Sequence, residues 1–122
     1  MNPADTVWVA LGGALGSMAR YWLAIGVALL TGPYFPWGTL LINIIGSFLI
    51  GWYGVWSGAG AHTSRLFVMV GFCGGFTTFS SFSLQTLELL EAGEVLRAAG
   101  YIVGSVALCL AGVWAGVTFG RP

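Results

Sequence analysis

The chain has no lysine, and its charge rests on four arginines and four carboxylates in 122 residues. Charged residues make up 7% of it, against about 25% in a soluble domain. That scarcity excludes an ordinary water-facing surface. With 57% hydrophobic residues and a mean hydropathy of +0.90, lipid is the solvent the composition fits. There are two cysteines, Cys73 and Cys109, both inside apolar stretches. They say little about redox compartment and read as small packing residues. The one histidine, His62, lies in a loop, so no histidine-based metal cluster is available. No nucleophile–base pair and no phosphate loop occurs, and no GxGxxG opens a helix after a strand. An enzyme of the soluble kind is excluded on that basis, and no nucleic-acid partner is expected. Met1–Asp5 contains neither Lys nor Arg. It lacks the basic start of a signal peptide, and the apolar run behind it is too long for one.

What is present is four long apolar stretches: Thr6–Leu30, Trp37–Trp56, Arg65–Leu90 and Val95–Phe119. Each reaches the roughly 20 residues a spanning helix needs. Between them lie a Gly-Pro-Tyr-Phe-Pro turn (Gly32–Pro36), a small-residue turn (Gly58–Ser64) and an acidic turn (Glu91–Glu94). Pro and Gly clusters are what short interhelical loops use. The expected fold is an all-α membrane protein with four transmembrane helices. Residues 1–122 form one four-span domain, multi-pass in the inner (plasma) membrane and surrounded by lipid.

Orientation follows the excess of basic residues on cytoplasmic loops. Arg65 and Arg121 fall on one side, Arg97 on the other, and Arg20 in the half of span one nearer Arg97. Two against two gives no excess. That balance predicts insertion in both directions and a dimer of antiparallel copies. GxxxG strips occur at Gly12/Gly16, Gly71/Gly75, Gly100/Gly104 and Gly112/Gly116/Gly120. In lipid, close backbone approach at small residues drives packing, and twenty glycines predict contacts both within and between copies. The tryptophans and tyrosines near the span ends read as interface anchors.

Several polar groups are out of place in such a chain. Asn43 lies inside span two with two amide donors and two acceptor sites. Unpaired in hydrocarbon it costs several kcal/mol. It reads either as a helix–helix hydrogen bond or as a donor facing an anion path. Arg20 is the one charge well inside a span, and such a residue either snorkels or attracts anions. Span three is the most unusual. Gly74-Gly75 is a poor helix interior, two threonines follow, and the span centre falls near Gly74–Thr78. The expected result is a helix broken at mid-membrane, tolerated where protein, ions or water satisfy the freed groups. Beyond the break, Phe76, Phe79 and Phe82 form one stripe and Thr78, Ser81 and Gln85 another. Tyr101, Ser105 and Cys109 share a face of span four. No carboxylate occupies a span centre, so a cation or proton route lacks its usual residue. Hydroxyls, amide N–H groups, a guanidinium and the positive edges of phenyl rings all suit a small, hard anion.

The stretch GGFTTFSSFS (Gly74–Ser83) resembles the signature of the CrcB/Fluc family of fluoride channels. GGALGSMARY (Gly12–Tyr21) and WGTLLINIIGSFLIG (Trp37–Gly51) resemble that family's first two spans. The resemblance implies an antiparallel dual-topology homodimer with two fluoride pores and a central structural sodium ion, exporting toxic fluoride by passive electrodiffusion. By position, Asn43 corresponds to the pore asparagine, and Phe79 and Phe82 to the phenylalanines whose edges face fluoride. Arg20 corresponds to the first-span arginine, Thr39 to a vestibule position, and Tyr101 and Ser105 to the fourth-span polar track. The backbone carbonyls of Gly74 and Thr77 correspond to the sodium ligands. Ser81 stands where threonine is usual and keeps a hydroxyl on the pathway. Cys109 replaces a common track serine, and Gln85 replaces a frequent glutamate, so no carboxylate role carries over there. A small multidrug exporter shares four spans and dual topology but needs a carboxylate within span one, where this chain has none. A non-conducting assembly subunit is the third reading, in which the polar residues of span three only pack.

Overall fold

The computed structural model describes residues 2–122. Four helical segments are long and apolar enough to cross a membrane: Pro3–Thr31, Trp37–Trp56, His62–Glu91 and Val95–Gly120. No strand occurs among the described residues. Helix α1 (Pro3–Thr31) starts with Pro3 at its first position, and the Asn2 side chain accepts from the Ala4 N–H at 3.0 Å. Both features satisfy or remove donors that a helix start leaves orphaned. It stops at Gly32, whose φ of 77° suits a residue without a side chain. Helix α2 is Trp37–Trp56.

The third segment is composite. It runs through α3 (His62–Arg65), a π-helical stretch (Leu66–Cys73) and α4 (Gly74–Phe76). Thr77 and Thr78 are then extended, with φ, ψ of −83°, 157° and −151°, 107°. Helix α5 (Phe79–Glu91) follows, and α6 is Val95–Gly120. Helical geometry therefore lapses at the two threonines and not at Gly74-Gly75, which stay helical. The threonine hydroxyls explain the shift. Thr77 Oγ1 donates back to the Cys73 carbonyl at 2.8 Å and closes the first half. Thr78 Oγ1 accepts from the Ser81 N–H at 3.1 Å and caps the second. Threonine side chains compete with the helical ladder in this way. The eight-residue π-helix had no counterpart in the sequence reading.

Glycine decides the packing. A Cβ on Gly12 or Gly16 would collide with the backbone carbonyls of Phe67 and Phe72. One on Gly71 or Gly75 would meet the carbonyls of Val9 and Gly13 at 2.8 and 2.5 Å. The first two GxxxG strips thus face each other and seat α1 against the π-helix and α4. The fourth, Gly112/Gly116/Gly120, presses α6 onto the Ile44, Phe48 and Trp52 carbonyls of α2, the most extensive helix pair in the fold. A Cβ added at Gly100 or Gly104 would meet nothing within 4 Å beyond its own stretch of helix. Ile42, Cys73 and Tyr101 are fully buried, whereas Leu30 and Leu96 are each 88% exposed. This outward apolar surface fits lipid or another apolar body, not water.

Candidate functional site

The threonine interruption is held from two directions. Asn43 on α2 grips Thr78: the Thr78 N–H donates to Oδ1 at 2.8 Å, and Nδ2 donates to the Thr78 carbonyl at 3.1 Å. Arg20 on α1 donates from Nε to the Gly75 carbonyl at 3.0 Å. In a continuous helix the Thr78 N–H would go to the Gly74 carbonyl. Here Asn43 has taken it. The Thr77 carbonyl also receives no hydrogen bond among the described residues. The Gly74 and Thr77 carbonyls are thus both without their helical donors, and Gly74 is exposed.

A groove of about 410 Å³ runs along this region. Asn43, Thr77, Thr78, Phe79, Phe82 and Ser105 line it, together with Cys109. No carboxylate does. The Phe79 ring is 79% exposed and lies 5.4 Å from Phe82 between centroids. Phe82 lies 5.0 Å from Tyr101. Tyr101 is completely buried and donates its hydroxyl to Gln85 Oε1 at 2.8 Å. One turn on, Ser105 Oγ is the single buried side-chain polar atom without a hydrogen-bond partner among the described residues. A hydroxyl left so in an apolar groove costs about 1–3 kcal/mol unless something fills the role.

The structure thus gathers Asn43, Gly74, Thr77, Phe79, Phe82 and Ser105 around one groove. Tyr101 sits directly behind Phe82. Ser81 is half-buried and contributes its N–H to the Thr78 cap. Thr39 is buried on α2, and Arg20 reaches the far side of the interruption. The expected three-ring stripe is corrected. Phe76 is buried and stacks on Phe72 at 5.6 Å, in the core, because the extended threonines turn Phe79 and Phe82 away from it. Arg20's acceptor, the Gly75 carbonyl, was not legible in the sequence, since no pattern links residues 55 positions apart. No group of three or more His, Cys, Asp or Glu that could hold a metal exists among the described residues.

Residues 7–117 match the family model described as CrcB-like protein, Camphor Resistance (CrcB). A Methylocella silvestris protein named fluoride-specific ion channel FluC is 56% identical over 117 residues, covering 92% of this chain and 89% of that one. A protein of the same name from Opitutus terrae is 53% identical, with 90% and 87% covered. The Rhodospirillum rubrum protein of that name is also 53% identical, with 90% and 89% covered.

Proposed function

Because this chain belongs to the CrcB family, we propose that it is a fluoride-selective ion channel of the inner membrane. It moves fluoride passively and exports it from the cell. The working unit is an antiparallel dual-topology homodimer with two pores, and the interruption of the third span lies at mid-membrane. The observation that carries this reading is Ser105: a buried hydroxyl without a partner, in a groove without a carboxylate, beside exposed Phe79. Fluoride needs short-range donors in place of its water. Ser105 offers its O–H, Tyr101 its phenol when that proton swings off Gln85 Oε1, and Asn43 the second amide hydrogen that Thr78 does not use. Phe79 and Phe82 offer the positive edges of their rings. Ser81 and Thr39 add hydroxyls along the route. Arg20 adds a fixed positive charge beside the interruption, and its Nε bond to Gly75 holds that charge in position.

The freed carbonyls of Gly74 and Thr77 fit a small hard cation, since neither bonds to the donor a continuous helix would supply. Broken helix ends serve as such ligands in transport proteins. We assign them to one structural sodium ion shared by two copies. When bound, the ion supplies a positive charge near both pathways.

Reconstituted liposomes test the channel directly. Purified protein should release fluoride, and not chloride, without a proton gradient. Comparable chloride release, or a strict proton requirement, would overturn the reading.

A further inference from the structure

The groove runs along the third segment from Phe82 to Met69 and along α2 from Asn43 to Ile50. None of the residues assigned to fluoride above stands beyond Met69 and Ile50. On a helix the residue four places away lies on the same face. One turn past Ile50 on α2 is Gly54, and one turn before Met69 on the third segment is Arg65. These two continue the walls of the groove, and they are joined. Arg65 Nη1 donates to the Gly54 carbonyl at 2.8 Å, and a Cβ on Gly54 would lie 3.1 Å from the Met69 methyl group. The Arg65 guanidinium therefore sits one turn beyond the groove, at the end away from Phe82.

One nitrogen holds it there. The same Nη1 also donates to Ser57 Oγ at 3.0 Å and, less closely, to the Gly58 carbonyl at 3.4 Å. Nε and Nη2 have no hydrogen-bond partner among the described residues. Arg65 makes no ion pair among them either: Asp5 is taken by His62, and Glu94 by Arg97. The end of α2 bears on this. A helix C-terminus carries about half a negative charge on its last carbonyls. Without Arg65 those carbonyls would meet an anion at this end of the groove and repel it. A guanidinium is always charged and presents five N–H donors in a rigid fork. Its full positive charge outweighs the helix end and leaves a positive mouth. Capping α2 occupies Nη1 alone, and the rest of the fork is unengaged.

We propose that Arg65 is an anion-binding site at this second end of the groove, where fluoride enters or leaves. This rests on the channel reading and adds a residue to it. Nη1 fixes the side chain on α2, while Nε and Nη2 supply charge-assisted donors to the ion. Such bonds are about twice as strong as neutral ones.

Fluoride efflux from liposomes tests this in wild type, Arg65→Gln, Arg65→Lys, Ser57→Asp and Ser57→Asn. Sodium is held constant, and ionic strength is raised equally on both sides with an organic salt. Arg65→Gln loses the charge but keeps an amide donor for the Gly54 carbonyl. Ser57→Asp leaves Arg65 in place and sets a carboxylate where the Ser57 hydroxyl now meets Nη1. Both should run about tenfold below wild type at about 0.01 M ionic strength, where charges act over about 30 Å. The gap should close to about twofold at about 1 M, where they act over about 3 Å. Arg65→Lys and Ser57→Asn should stay within about twofold of wild type throughout, because the charge remains. Should Arg65→Gln fail to fold, Ser57→Asp against Ser57→Asn decides. Wild-type flux in Ser57→Asp at low ionic strength overturns the proposal. So does an equal loss in Arg65→Gln and Arg65→Lys at every ionic strength, tracking a lower melting temperature, since Arg65 is then only a helix cap. If wild type itself carries no fluoride, the channel reading fails and takes this proposal with it. If wild type conducts and the variants show no dependence on charge, the proposal alone fails.

Discussion

Asn43 holds Thr78 at both of its backbone polar groups, with 2.8 Å from the Thr78 N–H to Oδ1 and 3.1 Å from Nδ2 to the Thr78 carbonyl. One side-chain amide thus does for an extended residue what the helical ladder does for its neighbours. It also releases the Gly74 carbonyl, because the donor that would have reached it has been diverted.

Asn43→Ala should orphan a backbone donor and an acceptor at once, costing about 1–3 kcal/mol for each group that water cannot reach. Thermal unfolding in detergent should show a clear drop, and fluoride efflux should be lost. Asn43→Asp keeps the acceptor for the Thr78 N–H but loses the donor, so it should fall between the two. An unchanged melting temperature in Asn43→Ala would mean that Thr78 is satisfied some other way.

Gly16→Ala and Gly104→Ala form a matched pair. A Cβ at Gly16 strikes the Phe72 carbonyl, whereas one at Gly104 meets nothing within 4 Å beyond its own stretch of helix. Overpacking against backbone costs about 1–3 kcal/mol, so Gly16→Ala should melt earlier. Gly104→Ala should leave the fold of the single chain as it is. If it weakens dimerisation instead, measured in detergent by subunit exchange, the open Gly100/Gly104 strip belongs to the contact between copies.

Phe79→Ile and Phe82→Ile should cut fluoride flux while the protein stays folded. Phe79 is 79% exposed, so its removal leaves little cavity. Isoleucine keeps the bulk and removes the positive ring edge. Two variants that conduct as wild type would reduce the rings to packing.

Sodium dependence separates backbone from side-chain ligands. Purification with a large organic cation in place of sodium should weaken assembly and flux together. Thr77→Ser should respond to sodium as wild type does, because the proposed ligand is a backbone carbonyl. Inserting one residue between Gly75 and Phe76 should abolish the response. If flux and assembly are indifferent to sodium throughout, the Gly74 and Thr77 carbonyls are satisfied without it.

By itself the sequence determined the length and placement of the apolar segments. Trp37–Trp56 was legible to the residue, and the other three to within a few. Spanning length and turn chemistry are local, so composition and Gly-Pro clusters are enough to mark them. It also picked out Asn43, Phe79, Phe82 and Ser105, because polar and aromatic residues stand out against so apolar a background. Only the tertiary structure decided where the third segment departs from helix. The glycine pair has the poorer helix propensity, yet it stays helical, since Gly75 fits against the Gly13 backbone and Arg20 takes its carbonyl. The threonines yield because Asn43, 35 residues away, offers Thr78 both a donor and an acceptor. The same holds for which glycine strips meet and for Phe76 turning inward while Phe79 faces the groove. Propensity acts within a few residues, whereas the free energy of a buried hydrogen bond or a backbone contact depends on a partner brought close by the fold.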